Sequence, residues 1–284
     1  MAREVYVCEH AGFCFGAARG VECLEKALEG DTPIYTFGPI LNNDRLVDGY
    51  KKRGVRVISD VSEFEGLPTG KVIIRAHGVP KRTYEQILAT GNEVIDATCP
   101  FVKRIHKIVE EQSAKGERII VIGNPRHPEV LGIVGWSLNG ATVIETKEDL
   151  MNFTADKDER LCIVAQTTFN RNKFQEFLDI FKENSYNINV MNTICDATRV
   201  RQAESEEMSK KAKMMIVIGD EKSSNSRKLY EICSENCANT YFIQDVEDIK
   251  GKLPDTNGLI GITAGASTPR YIIEEVQNYV RHDF

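Results

Sequence analysis

Short runs of β-branched and other apolar residues alternate along the chain with longer amphipathic stretches. The runs that most resemble buried strands cover residues 71–74, 93–95, 118–122, 161–164, 214–218 and 259–262. This alternation predicts an α/β protein with parallel sheets covered by helices. Nearly every polar motif begins where one of these runs stops. Open α/β sheets bind ligands at the carboxyl ends of their strands. We therefore expect these loops to converge on one cavity.

A weak internal repeat indicates three such units. Asp96-Ala97-Thr98 precedes Cys99, whereas Asp196-Ala197-Thr198 follows Cys195, and each cysteine opens an amphipathic stretch with helical spacing. We predict three pseudo-symmetric α/β units at residues 14–98, 99–194 and 195–284, with an N-terminal strand in residues 1–13 joining the third. No linker rich in Pro, Gly or Ser separates them, so the units are expected to pack tightly.

Charge and hydropathy exclude several classes of function. The net charge of −6 comes from charges that alternate in sign, so the sequence offers no basic field for nucleic acid. It contains neither a signal-peptide apolar region nor an apolar run of about 18 residues. We therefore expect a cytoplasmic protein without nucleic-acid or membrane partners, in a compartment where thiols stay reduced.

Three of the eight cysteines lie in loop-like settings about one third of the chain apart: Cys14, Cys99 and Cys195. A 4Fe-4S cluster held by three thiolates leaves one iron open to act as a Lewis acid, so the pattern predicts an iron-sulfur enzyme. No Cys-x-x-Cys pair occurs, which argues against a zinc ribbon or a ferredoxin-type loop. Since cysteine is often a small apolar core residue, we assign the others to core packing: Cys8, Cys23, Cys162, Cys233 and Cys237.

Two segments have the pattern of phosphate-binding helix starts. Ser267 stands in a run of small residues before Thr268-Pro269, and Ser223, Ser224 and Asn225 follow another strand-like run. Each segment is also explained as an ordinary capped helix. Two of them in one chain favour a diphosphate ligand, which backbone amides and hydroxyls at helix N-termini can hold.

His77 and His127 each follow a strand-like run, beside Gly or Pro, while a lone histidine is more often structural. His127-Pro128-Glu129 combines a hydrogen-bond donor and a carboxylate at a strand end. There Glu129 can serve as a proton donor if a dry cavity raises its pKa, and Thr167 can relay the proton through its hydroxyl.

Nine motifs, in order, resemble the family of 4-hydroxy-3-methylbut-2-enyl diphosphate reductases, also called the LytB family. They are Gly12-Phe13-Cys14, Gly38-Pro39-Ile40, Ala76-His77-Gly78-Val79, Asp96-Ala97-Thr98-Cys99-Pro100, His127-Pro128-Glu129-Val130, Gln166-Thr167-Thr168, Thr193-Ile194-Cys195, Ser223-Ser224-Asn225-Ser226 and Ala264-Gly265-Ala266-Ser267-Thr268-Pro269. The resemblance implies a trefoil of three units around a central 4Fe-4S cluster. It also implies reductive removal of the substrate's allylic hydroxyl to give isopentenyl and dimethylallyl diphosphate, in the methylerythritol phosphate pathway.

The same resemblance implies roles for individual residues. The cluster ligands are Cys14, Cys99 and Cys195; Glu129 delivers protons, and Thr167 lies near the leaving group. Electrons come from an external donor such as a ferredoxin or flavodoxin. The diphosphate is held by His77, His127, Ser223, Ser224, Asn225 and Ser267.

One position departs from the family pattern: Asn42 stands where the family has a diphosphate-binding histidine. An asparagine amide donates a hydrogen bond but carries no positive charge, which could weaken binding by on the order of 1 kcal/mol. The departure leaves open a paralogue with a changed substrate. A hydro-lyase acting without net electron transfer, and an iron or redox sensor, are further alternatives.

Overall fold

The computed structural model describes residues 4–254 and 256–282. Its strands are β1 (Val5–Val7), β2 (Ile34–Phe37), β3 (Arg56–Ile58), β4 (Lys71–Ile74), β5 (Glu93–Asp96), β6 (Arg118–Ile122), β7 (Ala141–Ile144), β8 (Arg160–Ala165), β9 (Asn187–Val190), β10 (Met214–Ile218), β11 (Thr240–Ile243) and β12 (Ile260–Ala264). Its α-helices are α1 (Phe15–Ala27), α2 (Asp44–Lys52), α3 (Lys81–Leu88), α4 (Pro100–Ala114), α5 (Pro128–Val134), α6 (Lys147–Met151), α7 (Arg171–Glu183), α8 (Asp196–Lys211), α9 (Ser224–Asn236) and α10 (Arg270–His282). Single 3-10 turns lie at Val61–Phe64 and Val246–Asp248.

The strands form three four-stranded sheets, with the orders β3-β2-β4-β5, β7-β6-β8-β9 and β1-β12-β10-β11. Every pairing in these sheets is parallel. The predicted α/β class is therefore confirmed. The six predicted strands are present as β4, β5, β6, β8, β10 and β12, and three of them differ from the prediction by one or two residues at one or both ends.

The three sheets repeat one strand order. In the sheets β2–β5 and β6–β9 the order is second, first, third and fourth strand along the chain. In the remaining sheet, β11, β10 and β12 occupy the first three of these places, and β1 fills the fourth. The β1 register pairs Val5 with Ile260 and Val7 with Ile262.

Strand β10 illustrates why these sequences form parallel sheets. All five of its residues are buried, as expected for a strand with both faces covered. Ile216 and Ile218 pack with Ile272 and Val276 of α10, whereas alternate residues such as Val217 pack with α9. Full burial of one such side chain contributes about 1.5–3 kcal/mol. Apolar residues on both faces thus require a helix on each side of the sheet.

The chain divides into two compact units. Unit A comprises residues 4–18, 41–49 and 196–282, residue 255 aside, and contains the sheet formed by β1, β10, β11 and β12. Unit B comprises residues 19–40 and 50–195 and contains the other two sheets. The division into three units at 14–98, 99–194 and 195–284 stays a prediction. Within the described ranges, no helix has the length and apolar character needed to cross a bilayer.

Candidate active site

Each of the three predicted cysteine ligands follows the edge strand that holds the fourth place in its sheet. Cys99 comes after β5, Cys195 after β9 and Cys14 after β1. Each of them directly precedes a helix, because α4, α8 and α1 begin at the next residue. The N-terminal end of a helix carries partial positive charge and favours an anionic thiolate.

The backbone hydrogen bonds of these cysteines repeat as well. The Cys99 N–H donates to the Ala76 carbonyl at 3.0 Å, and the Cys195 N–H donates to the Thr167 carbonyl at 3.0 Å. In unit A the Cys14 N–H donates to the Ala266 carbonyl at 3.4 Å. Each acceptor is the second residue past the third strand of its sheet. The weak sequence repeat thus corresponds to a repeated backbone arrangement at the carboxyl ends of the strands.

Burial separates these cysteines from most of the others. Cys14, Cys99 and Cys195 are half-buried, whereas Cys8, Cys162, Cys233 and Cys237 are buried. Burial raises the pKa of the Cys8, Cys162 and Cys233 thiols to about 12, which keeps them protonated and unsuited to metal binding. The core assignment is therefore confirmed for these four residues.

The core assignment is wrong for Cys23, which is half-buried. The apolar face of α1 runs through Ala17, Leu24 and Ala27, all at most 4% exposed. Cys23 directly precedes Leu24, so its side chain is turned by about 100° from the most buried position of that face.

Two arginines that the sequence reasoning missed hold the loops before the cysteines. In unit B, Arg19 donates to the carbonyls of Asp96 and Thr98 at 3.2 and 3.3 Å. In unit A, Arg201 donates to the carbonyls of His10 and Gly12, both at 2.7 Å. In the sequence, these two arginines are marked only by their position, in the second turn of a helix that begins directly after a predicted cysteine ligand.

Half-buried thiols at helix N-termini fit a thiolate-bound group such as an iron-sulfur cluster. In residues 4–254 and 256–282, no three His, Cys, Asp or Glu residues are gathered around one point as ligands of a single ion would be. Thiolates that hold a four-iron cluster each bind a different iron atom, so they need not meet at one point.

Glu129 and Thr167, predicted as acid and relay, are in direct contact in unit B. Glu129 is the second residue of α5 and is 2% exposed. The Thr167 N–H donates to Glu129 Oε1 at 2.6 Å, and the Thr167 hydroxyl donates to Oε2 at 2.7 Å. Burial raises the pKa of the Glu129 carboxyl, while the two hydrogen bonds from Thr167 partly offset that rise. The carboxyl is therefore suited to hold a proton at a higher pH than an exposed glutamate.

The two predicted histidines also lie together in unit B. His127 caps α5, and its Nδ1 accepts the Glu129 N–H at 3.2 Å, which leaves the ring hydrogen on Nε2. Its ring lies 5.2 Å from the ring of His77 in an edge arrangement. Burial, and then the neighbouring His127 and Arg75, lower the pKa of His77 well below its ordinary value. His77 Nδ1 is buried and has no hydrogen-bond partner.

The predicted hydroxyl and amide cradle lies in unit A. Ser223 caps α9, and its hydroxyl oxygen accepts the Ser226 N–H at 3.3 Å and the Ser226 hydroxyl at 3.0 Å. Ser224 and Asn225 form the first turn of α9. Asn225 is 4% exposed, and both amide atoms of its side chain lack partners. An unsatisfied buried amide costs about 1–3 kcal/mol, which a hydrogen-bonding ligand can recover.

Asn42 links two of these predicted binding segments within unit A. The Ser267 hydroxyl donates to the Asn42 carbonyl at 3.0 Å, and the Asn42 amide donates to the Lys222 carbonyl at 3.4 Å. Lys222 directly precedes Ser223 and also pairs with Asp44 at 2.6 Å. The residue that departs from the family pattern is therefore used to connect the Ser267 loop with the start of α9.

The predicted polar residues occupy equivalent places in the three sheets. Gly38, Gly123 and Gly219 follow the first strand of each sheet, and each donates its N–H to the last residue of the second strand. Four residues after these glycines stand, in the same order, Asn42, His127 and Ser223. Six residues after Gly123 and Gly219 stand Glu129 and Asn225. His77 and Ser267 likewise match, because each is the third residue after the third strand of its sheet. The sequence motifs alone did not reveal this equivalence.

The chain matches the family model described as LytB protein over residues 5–281. A protein of Caldanaerobacter subterraneus subsp. tengcongensis, named 4-hydroxy-3-methylbut-2-enyl diphosphate reductase, is 42% identical over 276 residues, which is 96% of this chain and 95% of that protein. A protein of Clostridioides difficile with the same name is 38% identical over 281 residues, 98% of this chain and 99% of that protein.

Two solved structures are similar over nearly the whole chain. The structure of the E-1-hydroxy-2-methyl-but-2-enyl-4-diphosphate reductase from Plasmodium falciparum has a TM-score of 0.91 and 27% identity, covering 98% of this chain and 88% of that one. A structure of (E)-4-hydroxy-3-methyl-but-2-enyl diphosphate reductase, described as the terminal enzyme of the non-mevalonate pathway, has a TM-score of 0.71 and 39% identity, covering 99% of each chain.

Proposed function

The chain belongs to the LytB protein family, and on that premise we propose that it reduces (E)-4-hydroxy-3-methylbut-2-enyl diphosphate. Two electrons and two protons enter, the bond from carbon to the allylic hydroxyl breaks, and water leaves with isopentenyl or dimethylallyl diphosphate as the product. The observation that carries this proposal is the buried Glu129 carboxyl held at both oxygens by Thr167.

Cys14, Cys99 and Cys195 are the residues proposed to hold a 4Fe-4S cluster. Their support is local: each thiol is half-buried, follows an edge strand and precedes a helix. When bound, such a cluster supplies electrons and a Lewis-acidic iron.

Glu129 is the proposed source of protons. Its burial raises the carboxyl pKa and so favours the protonated form that an acid catalyst needs. The contact with Thr167 provides the route. The Thr167 hydroxyl donates to the ionised carboxylate; once Oε2 carries a proton the bond can reverse, and the hydroxyl then accepts from Oε2 and passes its own proton on. The substrate oxygen would accept that proton as it leaves.

The diphosphate would be bound by neutral donors together with the histidine pair. Asn225 brings a buried amide without partners, and His77 brings a buried Nδ1 without a partner. The remaining proposed binding residues are Asn42, His127, Thr167, Ser223, Ser224 and Ser267. We propose an external donor such as a ferredoxin or flavodoxin for the electrons, and a cytoplasmic location.

The test is anaerobic turnover of the purified holoenzyme with a strong reductant, quantifying both isomeric products. We expect both products from the complete reaction and none without the reductant. Conversion of the substrate to a hydrated or dehydrated product without any reductant would identify a hydro-lyase instead, because isopentenyl and dimethylallyl diphosphate form only when two electrons are added. An intact cluster with no turnover at all would contradict the proposed activity.

A further inference from the structure

Arg75 is a half-buried arginine whose charge is not balanced within its unit. It directly follows β4 and stands two residues before His77. Its Nε is buried without a hydrogen-bond partner. Burial lowers the pKa of its guanidinium to about 10, so the group stays charged near neutral pH, and no carboxylate among the described residues raises that pKa.

Two other arginines with restricted exposure have hydrogen-bond acceptors in the protein. Arg19 and Arg201 each donate to two backbone carbonyls. Removing a cation from water without a counter-charge or acceptors is costly. Arg75 therefore holds hydrogen-bonding capacity that no group among the described residues uses.

The guanidinium of Arg75 packs against the backbone of a glycine. It lies against Gly38, where a Cβ atom would come within 2.6 Å of Nη1 and 2.7 Å of Cζ. Gly38 also has a φ of +73°, which favours glycine. The glycine thus leaves the space that the guanidinium occupies, at the carboxyl ends of the neighbouring strands β2 and β4.

Arg75 brings a positive charge beside two imidazoles. Burial first, and then His127 and Arg75, lower the pKa of His77 well below its ordinary value, and no carboxylate among the described residues opposes that shift. The nearest carboxylate along α5, Glu129, has both oxygens engaged by Thr167. A guanidinium without a paired carboxylate attracts an anion, and its planar fork fits phosphate oxygens in a two-point contact, to which neutral imidazoles can add hydrogen bonds.

We infer that Arg75 is a further binding residue for the diphosphate of the substrate, acting on the same anion as His77 and His127. The inference rests on the proposed function for the identity of that anion. Arg75 brings a permanent positive charge to that anion, which a neutral imidazole does not.

The experiment measures the binding of inorganic pyrophosphate to the anaerobic holoenzyme, from the pyrophosphate-dependent rise in Tm. The variants are Arg75→Gln and Arg75→Lys, with Arg82→Gln as the matched control, because Arg82 is exposed on α3 in the same unit. We expect Arg75→Gln to weaken binding by about tenfold or more, as for loss of a charge-assisted contact. The pyrophosphate affinity of Arg75→Lys should lie between those of the wild type and Arg75→Gln, because lysine keeps the charge but lacks the planar guanidinium.

A second readout separates binding from a structural role. Without ligand, Arg75→Gln should have a Tm equal to or above that of the wild type, because the substitution removes a buried cation that has no partner. A structural arginine would lower it. Pyrophosphate affinity within twofold of the wild type in Arg75→Gln, or no binding of pyrophosphate by the wild type, would overturn the inference.

Turnover distinguishes this inference from the proposed function. With 4-hydroxy-3-methylbut-2-enyl diphosphate, we expect Arg75→Gln to raise KM by about tenfold or more while retaining most of kcat. A wild type that turns over the substrate, with a variant whose KM is unchanged, defeats the role of Arg75 alone. A wild type that binds pyrophosphate through Arg75 but does not turn over the substrate defeats the proposed activity and leaves Arg75 as an anion-binding residue.

Discussion

Replacing Glu129 with glutamine removes a proton donor and leaves the local hydrogen bonding nearly intact. The Thr167 N–H can still donate to the amide oxygen, in place of its 2.6 Å bond to Oε1. The amide nitrogen then faces the Thr167 hydroxyl across the former 2.7 Å contact, and the direction of that bond reverses. Structure and volume are thus preserved while the acid is lost.

The kinetic effect should be large and the structural effect small. General acid catalysis contributes about 10²–10⁴-fold, which corresponds to roughly 2.7–5.4 kcal/mol of barrier. Exchanging one satisfied buried hydrogen bond for another should change stability by no more than about 1.5 kcal/mol. We therefore expect kcat to fall at least about 100-fold with the cluster absorbance unchanged.

The stability of the Glu129→Gln variant should also respond differently to pH. Burial raises the folded-state pKa of Glu129 above its ordinary value of 4.5. Between these two values the folded protein keeps a proton that the unfolded chain has lost, so the wild type loses stability as pH rises through this window. Glutamine does not titrate, and the Tm of the variant should gain on that of the wild type as pH increases.

The assay is anaerobic turnover with a strong reductant, together with thermal denaturation across pH. Glu176→Gln is the matched control, because Glu176 is exposed on α7 in the same unit. Turnover of Glu129→Gln within a few-fold of the wild type, with the cluster present, would refute the assignment of the acid to Glu129.

Three further changes test the remaining assignments. Serine in place of Cys14, Cys99 or Cys195 should abolish the visible cluster absorbance, whereas Cys23→Ser should retain it; a chromophore that persists in Cys195→Ser contradicts the ligand set. Asn42→His should lower the substrate KM or leave it unchanged, and negligible wild-type turnover rescued by this histidine would indicate a paralogue with another substrate. Arg201→Gln should lower Tm and speed loss of cluster absorbance, since its contacts to two carbonyls near Cys14 are worth about 1.5–3 kcal/mol each; unchanged absorbance and Tm would exclude that positioning role.

The sequence was sufficient to predict strands that are long, apolar and buried on both faces. β6 and β10 have five residues each, rich in Ile, Val and Met, and their bounds were predicted without error. β3 and β9 were not singled out, because β3 has only three residues and begins at the exposed Arg56, and asparagine occupies every second position of β9. Such strands depend on pairing with a neighbour, which a local pattern does not report.

For the candidate site, residue types at strand ends identified Glu129 and Thr167, which the fold brings into contact. Arg75 and Arg201 escaped notice for a physical reason. An arginine in a sequence carries no sign of whether its donors are satisfied, and that property depends on burial and on partners distant in the chain. The structural use of the Asn42 amide was hidden for the same reason, because its acceptor at Lys222 lies in another segment.

The pairing of β1 with β12 has a consequence for synthesis on the ribosome. Val5 and Ile260 are partners, although roughly 250 residues separate them, so at about 5–20 residues per second β1 waits for roughly 10–50 s before its neighbour is made. The sheets β2–β5 and β6–β9 find all their strands in continuous stretches of chain and can assemble earlier. The loop of Cys14 depends on the late segment too, since its N–H bonds to Ala266. During translation, Cys14 is therefore the earliest of the three thiols to emerge and the last to gain its folded surroundings.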